Sequence, residues 1–214
     1  MDLEGFESVR SLLEKQRWQV EMCTEGSALK EVVERVAHPR VLHVATHGFF
    51  LSDQERLRGR ASSDLPSGLE DPMLRSGLFF AGANRALSGT SSAADLEDGV
   101  LTAYEATGLN LQGAELVVLS ACDTGLGQVK NGEGVFGLRR AFEEAGAQAV
   151  LMSLWPVPDQ ERQELMTRFY TQWLSGKDKF EALREAQLKE RGIVKKRYGQ
   201  DLPFHWGAFV LVEH

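Results

Sequence analysis

Leu116-Val117-Val118-Leu119-Ser120-Ala121 is the clearest strand in the chain. It is apolar, short and followed at once by Cys122 and a glycine-rich stretch, Gly125-Leu126-Gly127. Val41-Leu42-His43-Val44-Ala45-Thr46, bounded by Pro39 and Gly48, is a second apolar run of strand length. It fits a strand buried on both faces, as parallel sheets require. A third, Ala149 to Trp155, is stopped by Pro156 and Pro158.

Helical patterns separate these runs. Residues 6–16 place Phe6, Val9, Leu12 and Leu13 on one side. Ser27 is a candidate cap for a helix reaching about Ala37, with Glu31 as a start signal and Pro39 as the break. Residues 134–145 are amphipathic, with Val135, Leu138, Phe142 and Ala145 opposed to Arg139, Arg140, Glu143 and Glu144. Thr102–Thr107 predicts a short helix, and two more follow at about 159–174 and 178–191. Trp18–Met22 and Trp206–Val212 read as strands; Gly77–Gly82 reads as a strand or a covering segment. Strands alternating with helices imply an α/β fold, a mostly parallel sheet with helices on both faces. No internal repeat is visible, so the chain reads as a single domain, 1–214. Residues 52–70 and 88–95, rich in Ser, Gly and Arg, read as exposed loops within it.

Composition narrows the classes of function. Twenty-four Lys and Arg against 31 Asp and Glu give a net charge of −7 in 214 residues. An acidic domain repels phosphate backbones, so nucleic acid is a poor ligand. Two cysteines, Cys23 and Cys122, make no disulfide framework, and a reducing compartment is the natural home. No run approaches the ~18 apolar residues that span a bilayer. The acidic N-terminus has no apolar signal core. The chain therefore reads as cytoplasmic, without a membrane partner.

His47 directly follows one buried run and Cys122 directly follows another. In a parallel sheet with right-handed crossovers, strands point one way and their carboxyl ends share an edge, where ligands bind. Neighbouring strands are about 4.8 Å apart, close enough for two rim residues to meet. The thiolate is the reactive form of cysteine, and a nearby imidazole takes its proton or stabilises the ion pair. Small neighbours, Ser120, Ala121, Gly125 and Gly127, let a substrate backbone approach. The amides of Gly48 and Cys122 are candidate oxyanion donors, each worth ~3 kcal/mol to a transition state. Gly132-Glu133-Gly134 lacks the Lys-Ser/Thr ending of a phosphate loop and reads as a turn before a helix.

Leu42-His43-Val44-Ala45-Thr46-His47-Gly48-Phe49-Phe50 and Val118-Leu119-Ser120-Ala121-Cys122-Asp123-Thr124-Gly125-Leu126-Gly127 resemble the two signature motifs of the CHAT domain family. These are caspase-like proteins related to separases and often fused to tetratricopeptide repeats. The resemblance extends to Asp71–Leu78, Ala81–Asn84, Glu97–Ala103, Asn131–Gly134, Leu138–Phe142, Ser153–Val157 and Trp206–Leu211, and covers roughly residues 25–212. It implies a caspase-like three-layer sandwich and a cysteine endopeptidase dyad of His47 and Cys122, with no metal or other cofactor. It also implies that the segment after Trp155 lines the pocket for the substrate residue before the cut. Asp159 falls where separases place a carboxylate that selects arginine, which implies cleavage after Arg or Lys; its other reading is a helix cap. Asp123 stands open between orienting His47, supporting its loop and touching substrate. The family has a strand ahead of the first helix, whereas this chain begins at the helix. The expectation is that this strand lies upstream, comes from another chain, or is replaced by a rebuilt N-terminus. Three functions follow: a peptidase acting on a protein or peptide substrate, a latent peptidase switched on by a partner or fused repeat domain, and a non-catalytic protein-interaction module.

Overall fold

The computed structural model describes residues 3–50, 72–74, 76–84, 99–120 and 133–213. The expected loops at 52–70 and 88–95, and also Cys122 and Asp123, lie outside the described residues. The chain forms two compact units, one of Glu25–Met152 with Val212–His214, the other of Met1–Thr24 with Ser153–Leu211.

In the first unit the three apolar runs are strands β1 (Val41–Val44), β5 (Leu116–Leu119) and β6 (Ala149–Ser153). They pair in parallel, with Val41 opposite Leu116, Val44 opposite Leu119 and Val117 opposite Val150. All four residues of β5 and all five of β6 are buried. Full burial contributes roughly 1.5–3 kcal/mol for each Leu or Val, as an upper bound. Within this unit β5 lies between β1 and β6; the last strand of the chain is β7, Phe209–Glu213. Because β1 has the end place, only its Val44 is buried, and Val41, Leu42 and His43 are half-exposed.

A second sheet joins β2 (His47–Phe50), β3 (Ser76–Phe79) and β4 (Val100–Thr102), all antiparallel. Its tightest point is Gly77, where an added Cβ would lie 2.5 Å from the Leu101 carbonyl oxygen and 2.7 Å from the Phe49 ring. Phe49 in turn stacks on Phe79, with ring centroids 4.9 Å apart. Helix α2 (Lys30–Arg35) begins after a single 3-10 turn at Glu25–Ser27, so Ser27 ends that turn and does not cap the helix. Helix α3 (Ala103–Ala106) opens on a reciprocal cap between Thr102 and Glu105. Buried Lys30 reaches the same Glu105 at 2.7 Å, tying α2 to α3. Helix α4 spans Glu133–Glu144, one residue earlier than its periodicity predicts.

The second unit is helical. Helix α1 (Leu3–Lys15) packs on α5 (Asp159–Leu174), and α5 packs on α6 (Lys179–Tyr198). Leu165, Met166, Phe169 and Tyr170 of α5 are fully buried. Residues 18–22 form no strand; Trp18 instead sets its ring edge-on to Trp173 at 5.9 Å. Helix α6 starts on an Asp178 cap to the Glu181 amide. It runs seven residues past the expected end because Val194 is buried, and stops at Gly199 in the left-handed region, φ 72°. Pro203 then opens one helical turn, α7 (Pro203–Trp206), where a strand was expected from Trp206; β7 starts at Phe209.

Candidate functional site

The β1–β5 register sets the site. Val44 lies opposite Leu119. His47 is three residues beyond Val44, and Cys122 is three residues beyond Leu119 in sequence. The Ser120 amide donates to the Val44 carbonyl at 3.0 Å, extending the pairing one step past the strand ends. Beside it, Nε2 of His43 lies 3.4 Å from the buried Ser120 hydroxyl.

At Thr46 the chain turns from one sheet to the other. The Thr46 hydroxyl donates to the Phe79 carbonyl, and His47 pairs with Phe79 in register. The imidazole therefore sits at the start of β2, in an antiparallel sheet, and not at the tip of β1. His47 is exposed and Gly48 is buried opposite Leu78.

Two of the residues expected to contact substrate, Trp155 and Asp159, lie in the second unit. The Trp155 indole N–H donates to the Phe204 carbonyl at 2.9 Å. Asp159 is the first residue of α5, and the capping position is Pro158, which has no side-chain cap bond. Its carboxylate is exposed and accepts from Arg162 one turn on. A carboxylate in a first turn is also favoured by the helix dipole. Asp159 is thus already seen holding a guanidinium.

One group of residues escaped the sequence reading. Glu161 on α5 is buried, yet its Oε1 accepts from Arg197 at 2.7 Å and from Tyr198 at 2.8 Å. Arg197 also reaches Glu164 at 2.8 Å, and Arg168 bridges Glu164 and buried Glu190. Burial pushes the Glu161 carboxyl up, but bonds from Tyr198 and Arg197 outweigh it and hold the group below the usual range. Glu190 has weaker compensation: burial carries it up to about 7 against the pull of Arg168. Glu161, Glu164 and Arg168 follow helical spacing and are legible as surface pairs, but partners near residue 197 are not.

Among the described residues no group of three or more His, Cys, Asp or Glu could hold a metal. No helix among them is long and apolar enough to cross a membrane.

Comparison with known proteins adds two findings. The model of the CHAT domain matches residues 2–213. Tetratricopeptide repeat protein 28 of Homo sapiens is 36% identical over 117 residues, which is 55% of this chain and 4% of that protein. The protein of the same name in Mus musculus is 35% identical over 117 residues, with the same coverage. The chain thus matches only a small part of these relatives.

Proposed function

Since this chain belongs to the CHAT domain family, whose fold is caspase-like, we propose that it is a cysteine endopeptidase acting through Cys122 and His47. The observation that carries this reading is the parallel register of Val44 with Leu119, from which His47 and Cys122 stand at equal offsets. His47 takes the Cys122 thiol proton, the thiolate sulfur attacks the scissile carbonyl carbon, and the C–O π pair moves onto oxygen. The Gly48 and Cys122 amides donate to that oxyanion. The tetrahedral species collapses, the C–N bond breaks, and His47 gives its proton to the leaving amine. Water, deprotonated by His47, then hydrolyses the thioester and restores the thiol. All groups needed come from the chain, with no metal or organic cofactor in the scheme.

Asp159 is our candidate for recognising Arg or Lys before the cut. Support comes from its bond to Arg162, since a carboxylate that accepts from one guanidinium can accept from a substrate guanidinium. Trp155 is the companion lining residue, and Asp123 a further substrate contact. The match to tetratricopeptide repeat proteins supports an activating repeat segment or partner. The scarcity of cysteine supports a reducing, cytoplasmic setting. We further propose that residues 1–214 act as one CHAT domain.

A second reading, a non-catalytic interaction module, is favoured by the names of the matched relatives, which denote repeats and not a peptidase. A peptide-library digest with the wild type and Cys122→Ala separates the two. Cleavage after basic residues that disappears in the variant supports the peptidase. Failure to cleave, combined with no iodoacetamide label on Cys122 at neutral pH, overturns it.

A further inference from the structure

Trp155 is held at one end of a closed loop of contacts. Its indole N–H donates to the Phe204 carbonyl at 2.9 Å, and the neighbouring Leu154 amide donates to the Ala208 carbonyl at 2.9 Å. Both acceptors belong to α7 or to the residues just after it. Whatever places α7 therefore places the Trp155 indole.

A single helical turn cannot place itself, because nucleation costs more than one hydrogen bond returns. Two side chains of α7 are anchored instead. The His205 ring packs against the Tyr198 ring at 4.7 Å, and its Nδ1 is buried 3.9 Å from Glu161 Oε1. Trp206 donates to Asp201 at 3.1 Å and lies under the Arg191 guanidinium at 5.4 Å. Tyr198 is fixed in turn by its bond to Glu161, and Glu161 by Arg197. Glu161 is six residues along the chain from Trp155, so the loop closes on itself.

A buried carboxylate is costly unless paired, and Glu161 is paired on one oxygen by two donors. Packing alone does not require such a group; an apolar residue would fill the space. Its charge fixes where Tyr198 and Arg197 point, and so the surface that His205 meets.

We propose that Glu161, Tyr198 and His205 are positioning residues that set the Trp155 indole through α7, and thereby the fit of the substrate residue before the cut. The second half of this statement rests on the peptidase reading; the first half does not.

The test uses the whole chain carrying 5-fluorotryptophan, with the Trp155 resonance assigned by Trp155→Phe. Glu161→Gln and Tyr198→Phe each shift or broaden that resonance, while Arg140→Ala leaves it unmoved. Tyr198→Phe removes one hydroxyl, so it keeps the test open should Glu161→Gln fold poorly. In peptide cleavage the same variants raise KM roughly tenfold and leave kcat within about twofold, as expected for lost binding without lost chemistry. Tyr198→Phe in folded protein with an unmoved Trp155 resonance overturns the positioning role. A moved resonance with unchanged KM overturns the link to substrate fit. Absence of any cleavage by the wild type condemns the peptidase reading and with it the substrate half, while the fluorine spectrum still decides the positioning half.

Discussion

Ser120 donates its backbone N–H to the Val44 carbonyl at 3.0 Å, so β1 and β5 remain paired at the step where both leave the sheet. This bond fixes the relative level of the two segments that lead to His47 and Cys122. It is a backbone bond, and so tolerates side-chain change at either position.

Replacing His47 by Ala is expected to lower kcat/KM on a basic-residue peptide by about 10²–10⁴, the usual contribution of a general acid–base group. Cys122→Ala is expected to remove the activity. The His47→Ala protein should unfold at the wild-type urea midpoint, because His47 is exposed. A His47→Ala protein with wild-type kcat/KM would remove imidazole from the mechanism.

Asp159→Asn is expected to lower kcat/KM for Arg and Lys peptides by at least about tenfold, and to leave peptides with apolar residues before the cut unaffected. The Asp159–Arg162 pair is exposed on the carboxylate side, so its loss costs only about 0–1 kcal/mol of stability. Equal loss on every peptide would assign Asp159 a structural role.

Gly77→Ala is expected to destabilise the protein by about 1–3 kcal/mol, read from urea unfolding, through overpacking. The new methyl meets the Leu101 carbonyl, which cannot withdraw without parting β3 from β4, and the Phe49 ring, which has to turn out of its stack on Phe79. A neutral effect would mean that the β2–β4 sheet adjusts freely.

Glu190 gives a pH signature. Its folded pKa, about 7, lies above the ordinary 4.5, so the folded state binds the proton more tightly. Its stabilising contribution is complete below about pH 4.5 and is lost as pH rises through 7. The groups facing it are Glu161, Glu164 and Arg168 on α5 and Arg197 on α6. Glu161 and Glu164, held low, act in the opposite sense and lose their contribution as pH falls below the ordinary carboxyl range. Glu190→Gln, which mimics the protonated form, is expected to be more stable than wild type at pH 8 by up to ~3 kcal/mol, and close to it at pH 5. Parallel pH–stability curves for the two proteins would refute the assignment.

The parallel sheet is legible in its strands one at a time, and the reason is local. β5 and β6 are buried throughout, so burial writes itself as an unbroken apolar run. Helices α4 and α5 were legible in the same way, from amphipathic period in one and a proline-led start in the other. The residues flanking the strands, His47 and Cys122, followed from those runs. Features held by distant partners emerge only once the chain has folded. His47–Phe50 is a strand because Ser76–Phe79 pairs with it, and nothing in a His-Gly start announces a strand. Trp18–Met22 has strand composition but finds an aromatic partner on α5 and no strand to pair with. Helix α6 outruns its weak pattern because Val194 is buried and Arg197 and Tyr198 meet Glu161, 36 and 37 residues away. Periodicity reports which side of an element is covered; it carries no information about which side chain covers it.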